Sequence, residues 1–368
     1  MTISRNTPWA WIVFPVLSIL FIALHSMFGV EKWPLTSLPS VIVSIVMIVI
    51  MFGTVFAAVY HAELIAARVG EPFGTLVLSL AVTVIEVALI TSLMLMPEAS
   101  ATLARDTVFA VVMIVCNGLV GLCVLIGGVR YREQEFKTSG TGVYLTVLAT
   151  MTVLCLVLPN YTNATPGPYF SAGQLIFVSI VTLALYCVFI FVQTIKHTEY
   201  FVQAKTKAPR EKGFVPDNRL VGISSLLLFV SLVGVVLVAK KFAVVLEAGL
   251  SAAGAPHAVA GVIIAMIVLA PESISAVRAA QKDVLQKSLN LALGSSLATI
   301  GLTIPTVALM SVVIGKGLVL GLSARDTLLL ALTLFISLLT FGTGRTNTLY
   351  GFVHLVVFAT FLVFTFIP

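Results

Sequence analysis

Long apolar runs dominate this chain, and they name its solvent before any motif is considered. A run of about 18 or more apolar residues crosses a bilayer as a helix, because a helix satisfies its own backbone where water cannot. Runs bounded by charge, Gly and Pro fall at 9–30, 40–63, 73–96, 107–129, 143–160, 171–195, 220–239, 257–280, 288–314, 326–342 and 346–367. Eleven such spans make this an all-α polytopic membrane protein. With 59% hydrophobic and 10% charged residues, a soluble chain of 368 residues could not cover its core. The net charge of +6 therefore describes loops beside a membrane and gives no reason to expect nucleic acid as a partner.

The first run follows Arg5 and is too long for the apolar region of a signal peptide, so it reads as the first transmembrane helix. Cys116, Cys123, Cys155 and Cys187 all fall inside apolar runs without metal-type spacing, and read as buried packing residues. Orientation follows from the basic residues. With the N-terminus in the cytoplasm, the inner side collects 15 of the 21 Lys and Arg, six of them from the 196–219 segment. Lys32, Arg105, Lys240, Lys241, Lys316 and Arg325 fall outside. The expected location is the bacterial inner membrane, multi-pass, with the C-terminus periplasmic.

The segment 196–219 is the one long polar stretch, and it is basic. It divides the chain into an N-terminus with a leading helix (1–39), a first set of five spans (40–195) and a second set of five (220–368). Five is odd, so homologous sets insert with opposite orientations, as inverted repeats. A weak internal likeness agrees: 105–128 parallels 282–305, each opening on a basic residue and Asp. Asn117 and Gly294 each open a small or polar cluster eleven residues after that Asp. The linker itself reads as a solvated cytoplasmic loop, with contact to anionic lipid headgroups as the alternative.

Two carboxylates break the apolar pattern. Glu86 lies more than ten residues from any other charge, and Glu272 lies midway along its span. A charge at the bilayer centre costs about 2.5–3.5 kcal/mol on insertion scales. Ser79 and Thr83 share a helical face with Glu86, and Ser275 follows Glu272 by three residues. Ser295, Ser296, Thr299 and Thr303 add hydroxyls in the ninth span, and Asn117 occupies the matching place in the fourth. Pro271 lacks an N–H and clashes with the Ile267 carbonyl, which predicts a kinked or broken helix offering backbone oxygen. Oxygen donors favour hard cations, whereas His, Cys and Met are not concentrated near either glutamate. His257 and His354 read as interfacial or packing residues. Two carboxylates out of water are neutralised by one divalent ion or by protons, and that competition suffices for exchange. The sequence shows no phosphate-binding loop for ATP and no nucleophile–His arrangement, so the chain does not read as an enzyme.

At these residues the chain resembles the calcium/cation–proton antiporter family of the CaCA superfamily, in its bacterial ChaA-type branch. The likeness is carried by "HAELIAARVGEPFGTLVLSLAVTVIEVALI" (61–90), "RDTVFAVVMIVCNGLVG" (105–121), "PESISAVRAAQKDVLQKSLNLALGSSLATIGLTIP" (271–305) and "TGRTNTLYGFVHL" (343–355). The family's G-N-x-x-E signature glutamates correspond to Glu86 and Glu272, and its G-S-S to Gly294, Ser295 and Ser296. The resemblance implies that these line a cation site, with Asn117 equivalent in the first repeat. Thr83 and Leu269 stand where the signature asparagines would be, Ser273 where many members have His, and Ala298 where many have Gln. The family's acidic regulatory helix between halves is missing. The expectation is a secondary antiporter exporting Ca2+ for H+ by alternating access, the alternative being Na+(K+)/H+ exchange alone or as a second activity. Glu86 and Glu272 are the expected cation and proton ligands, with Ser295, Ser296, Asn117 and Thr83 around them. The expected cargo is ions, with no resident cofactor, and the expected surroundings are the lipid bilayer.

Overall fold

The computed structural model describes residues 9–30, 33–34, 37–70, 73–96, 100–202, 216–315 and 317–368. Expectations resting on Arg5, Lys32, Lys316 and residues 203–215 of the linker fall outside them. Among the described residues, eleven helical spans are long and apolar enough to cross a membrane.

The first three spans are α1 (Trp9–Met27), α2 (Leu38–Val69) and α3 (Phe73–Met94). The fourth comprises α4 (Leu103–Met113), a π-helical stretch at Ile114–Leu119 and α5 (Val120–Tyr131). Next come α6 (Thr138–Thr152), prolonged by π and 3-10 turns to Tyr161, and α7 (Ala172–Phe191), prolonged to Lys196. The remaining spans are α8 (Asn218–Ala252), α9 (Ala258–Gln281), and α10 (Leu285–Ala298) joined through a π stretch at Thr299–Thr303 to α11 (Ile304–Ile314). Last are α12 (Ala324–Phe341) and α13 (Thr348–Phe366). Four of these helices start on side-chain caps. Ser171 and Gln174 form a capping box on α7, and Asp217, Ser323 and Asn347 accept first-turn N–H groups of α8, α12 and α13.

Four features differ from expectation. The seventh span was expected to stop before Lys240 and Lys241, but α8 continues to Ala252. Lysine is a good helix former with a stem that can lie along apolar surface, so the pair does not end the helix. Pro271 does not break its helix, since α9 runs unbroken from Ala258 to Gln281. One proline removes one hydrogen bond, and packing of α9 on α4, α5 and α10 holds the helix across the gap. Cys187 is exposed on α7, while the other three cysteines are buried. Finally, β1 (Glu133–Glu135) pairs antiparallel with β2 (Arg345–Asn347), Gln134 opposite Thr346, joining the loops after α5 and α12.

The chain forms two compact units that cut across the two sequence sets of five. One is residues 1–99 with 209–255; the other is 100–208 with 256–368. In the first unit α2 packs on α1, α3 and α8. Trp11 stacks on Phe56 and Tyr60 of α2, and His61 Nε2 lies 3.1 Å from the Trp11 carbonyl, which Pro15 deprives of its helical donor.

In the second unit the α4–α5 helix packs on α9, with α13 laid along α5. The α5–α13 contact is made by glycines. A Cβ on Gly351 would stand 2.6 Å from the Leu125 nitrogen, and one on Gly128 2.5 Å from the Thr348 nitrogen. Small residues allow such backbone approach in membranes.

Gly351→Ala should therefore lower the stability of detergent-solubilised protein by about 1–3 kcal/mol, because the obstacle is backbone that cannot turn aside. Gly142, exposed in α6 with open space around it, is the control. Gly142→Ala should raise stability by about 0.5–1 kcal/mol through helix propensity. Thermal unfolding of the two variants should move in opposite directions.

Candidate functional site

The expected ligands fall in both units. In the first, Glu86 lies on α3 and is 1% exposed. Its helix neighbours Val82, Ile85, Leu89 and Ile90 are buried apolar residues. Thr83, one turn earlier, is also buried, and its hydroxyl donates to the Ser79 carbonyl at 2.8 Å. Its proton is thus engaged within the helix, while its oxygen keeps lone-pair capacity toward a cation.

In the second unit, Glu272 is 9% exposed on α9, directly after the buried Pro271. A three-residue turn joins α9 to α10, so the two run antiparallel, and Ser288 Oγ donates to the Ala276 carbonyl at 2.7 Å. Counting from that contact places Ser295 and Ser296 level with Val268 and Leu269, about one helical turn (5.4 Å) from Glu272 along the axis. The same level lies beside the Ile267 carbonyl, which Pro271 leaves without its usual donor. The Ser295 and Ser296 hydroxyls are buried and have no hydrogen-bond partner among the described residues. Buried hydroxyls without a partner cost stability. Carboxylate, hydroxyl and main-chain carbonyl are all hard oxygen donors.

Asn117 lies in the π-helical stretch between α4 and α5, and it is completely buried. Its Nδ2 donates to Thr333 Oγ1 of α12 at 2.9 Å, and its Oδ1 is 3.2 Å from Nδ1 of His354 on α13. Asn117 is therefore held by two other helices, a pairing that no sequence pattern predicts. His354, which from sequence reads as an interfacial or packing residue, is here the polar partner of Asn117. A mid-span histidine three residues after the tightly packed Gly351 was the available signal. His257 is exposed at the start of α9, in keeping with an interfacial role.

Thr299 and Thr303 are buried in the second π stretch, following Ser296 on α10. Ser275 is half-buried on α9. Among the described residues no three His, Cys, Asp or Glu side chains cluster. A cation held here draws most of its ligands from hydroxyl, amide and carbonyl oxygen.

The profile of the sodium/calcium exchanger protein family matches residues 39–195 and 223–367. The chain is 44% identical over 368 residues to y4hA of Sinorhizobium fredii strain NGR234, provisionally named an ionic transporter, covering 99% of this chain and 98% of that one. It is 35% identical over 361 residues to the sodium-potassium/proton antiporter ChaA of Escherichia coli K12, covering 96% and 95%. Among solved structures, native YfkE superposes with a TM-score of 0.73 at 17% identity, covering 97% of this chain and 100% of that one. A selenium-substituted structure of YfkE names it a Ca2+/H+ antiporter.

The serine hydroxyls give a direct test. Because each is buried without a partner, the Ser295→Ala, Ser296→Ala double variant removes an unfavourable burial of up to about 1–3 kcal/mol per group. In cation-free buffer it should unfold at or above the temperature of the parent protein. A clear loss of stability would mean that the hydroxyls support the fold.

Proposed function

The chain belongs to the sodium/calcium exchanger family, a multi-pass cation antiporter, and from that premise we propose that it exports Ca2+ in exchange for protons. Glu86 and Glu272 are the carboxylates that cation and protons contest. Ser295, Ser296, Asn117 and Thr83 supply neutral oxygen to the bound ion, and alternating access carries it across. The observation that carries the reading is the pair of mid-span glutamates, each withdrawn from solvent within a membrane-spanning helix. A carboxylate so placed must be neutralised, and ion and proton are the two neutralising partners that an exchanger alternates.

Calcium is favoured by charge balance between two carboxylates and one divalent ion, and by the name of the structurally similar YfkE. Exchange of Na+ or K+ for H+ is the second reading, favoured by the name of the E. coli relative. The departures at Thr83 and Leu269, which leave fewer amide oxygens than the family pattern, bear on this choice. The cargo crosses chemically unchanged, so no enzymatic step is assigned.

Two observations support inverted repeats. The family profile matches two successive stretches of the chain. The spans Leu103–Tyr131 and Leu285–Val313 are both 29 residues long, each with a π stretch near its middle. The distribution of basic residues supports a cytoplasmic N-terminus in the inner membrane.

Inverted membrane vesicles carrying a proton gradient test the reading. Adding Ca2+ should dissipate the gradient for the parent protein, and Glu86→Gln or Glu272→Gln should each abolish the response. If either neutral variant kept full Ca2+-driven proton movement, the two-carboxylate mechanism would be wrong. A response to Na+ or K+ alone would transfer the assignment to the second reading.

A further inference from the structure

Around His354 of α13 the second unit holds a chain of polar groups that exchange chemistry leaves over. The imidazole is completely buried. Its Nδ1 lies 3.2 Å from Asn117 Oδ1, and its Nε2 lies 3.0 Å from Thr340 Oγ1. Asn117 Nδ2 donates to Thr333 Oγ1 at 2.9 Å, and Thr333 passes its own proton to the Leu329 carbonyl at 2.8 Å.

One self-consistent arrangement of protons satisfies these contacts as the donors and acceptors stand. Thr333 has committed its hydrogen to Leu329, with the Met113 sulfur at 3.4 Å as alternative acceptor, so toward Asn117 it can only accept. Asn117 must then donate through its NH2 and turn Oδ1 toward the histidine. An amide oxygen accepts only, so the imidazole carries its hydrogen on Nδ1, and the neutral ring accepts at Nε2 from the Thr340 hydroxyl. Hydrogen bonds run in one direction from α12 to α13, to the π stretch, and back to α12.

We propose that His354 is a positioning residue for cation binding that acts through Asn117, on the reading that Asn117 belongs to the cation shell. An amide oxygen has two lone pairs. His354 occupies one and fixes the amide plane, and the other is left to the ion in a set direction. The glycine contacts bring the imidazole into range. A Cβ on Gly121 would stand 3.0 Å from His354 Cβ, and one on Gly118 3.3 Å from the Phe358 ring. The last helix thus reaches the π stretch as a rigid support for one ligand. Partners that orient a ligand in this way typically change ion affinity by about 10–100-fold when removed.

The test reads affinity twice: as the apparent KM of cation-driven proton movement, and as the rise in melting temperature on adding Ca2+, Na+ or K+. His354→Leu removes both ring nitrogens at similar volume. It should raise KM about tenfold and shrink the cation-induced rise in Tm, with the maximal rate little changed. His354→Asn restores a donor near the Nδ1 position and should recover most of the affinity. His354→Gln, which reaches toward Thr340, should not. In an Asn117→Ala background, His354→Leu should add nothing. The proposal falls if KM is unchanged in His354→Leu, if the Asn and Gln variants behave alike, or if the full effect persists without Asn117. Should His354→Leu fail to fold, the Asn–Gln pair decides alone. A parent protein that is stabilised by a cation but moves no protons contradicts the antiport reading, while the melting data still decide on His354. One that binds no cation overturns both.

Discussion

A carboxylate inside a membrane has to be neutralised, and that requirement organises the rest of this protein. Glu86 and Glu272 are each surrounded by apolar helix and withdrawn from solvent. Left charged and alone, either would cost a large fraction of the stability of a marginally stable fold. Neutral oxygen can share the charge of a bound ion but cannot remove that of an empty site, and on the proposed mechanism protons enter when the ion leaves.

The neutral groups differ in how far the fold has already committed them. Thr83 directs its proton to its own helix and keeps its oxygen. Ser295 and Ser296 have no hydrogen-bond partner among the described residues. Asn117 is held most firmly, by α12 and α13 through Thr333 and His354. This gradation follows local geometry. Asn117 belongs to a π turn, where helix hydrogen bonding is interrupted and side chains of neighbouring helices find room. The serines precede the second π stretch on a regular helix.

Much of the architecture was legible in the sequence because bilayer thickness dictates helix length. All eleven spans are recovered, most with ends shifted by a few residues. The misread end of α8 came from treating Lys240 and Lys241 as a stop, although lysine neither breaks helices nor needs its stem in water. Pro271 was read by its local chemistry, and packing against α4, α5 and α10 overrode it. Isolation among apolar residues announced both glutamates before their burial was seen. His354 stayed hidden for the opposite reason: its partners Asn117 and Thr340 lie 237 and 14 residues away on other helices. The pairing of β1 with β2 was equally invisible, since three-residue strands carry no periodicity.

On the proposed mechanism, cation and protons contest the same buried carboxylates. Titration calorimetry of the purified protein with Ca2+, repeated in buffers of different ionisation enthalpy across the neutral pH range, counts the protons that each bound ion displaces. The account predicts net proton release on Ca2+ binding, diminished when Glu86 or Glu272 is changed to Gln. Tight Ca2+ binding that released no protons at any pH in that range would contradict it.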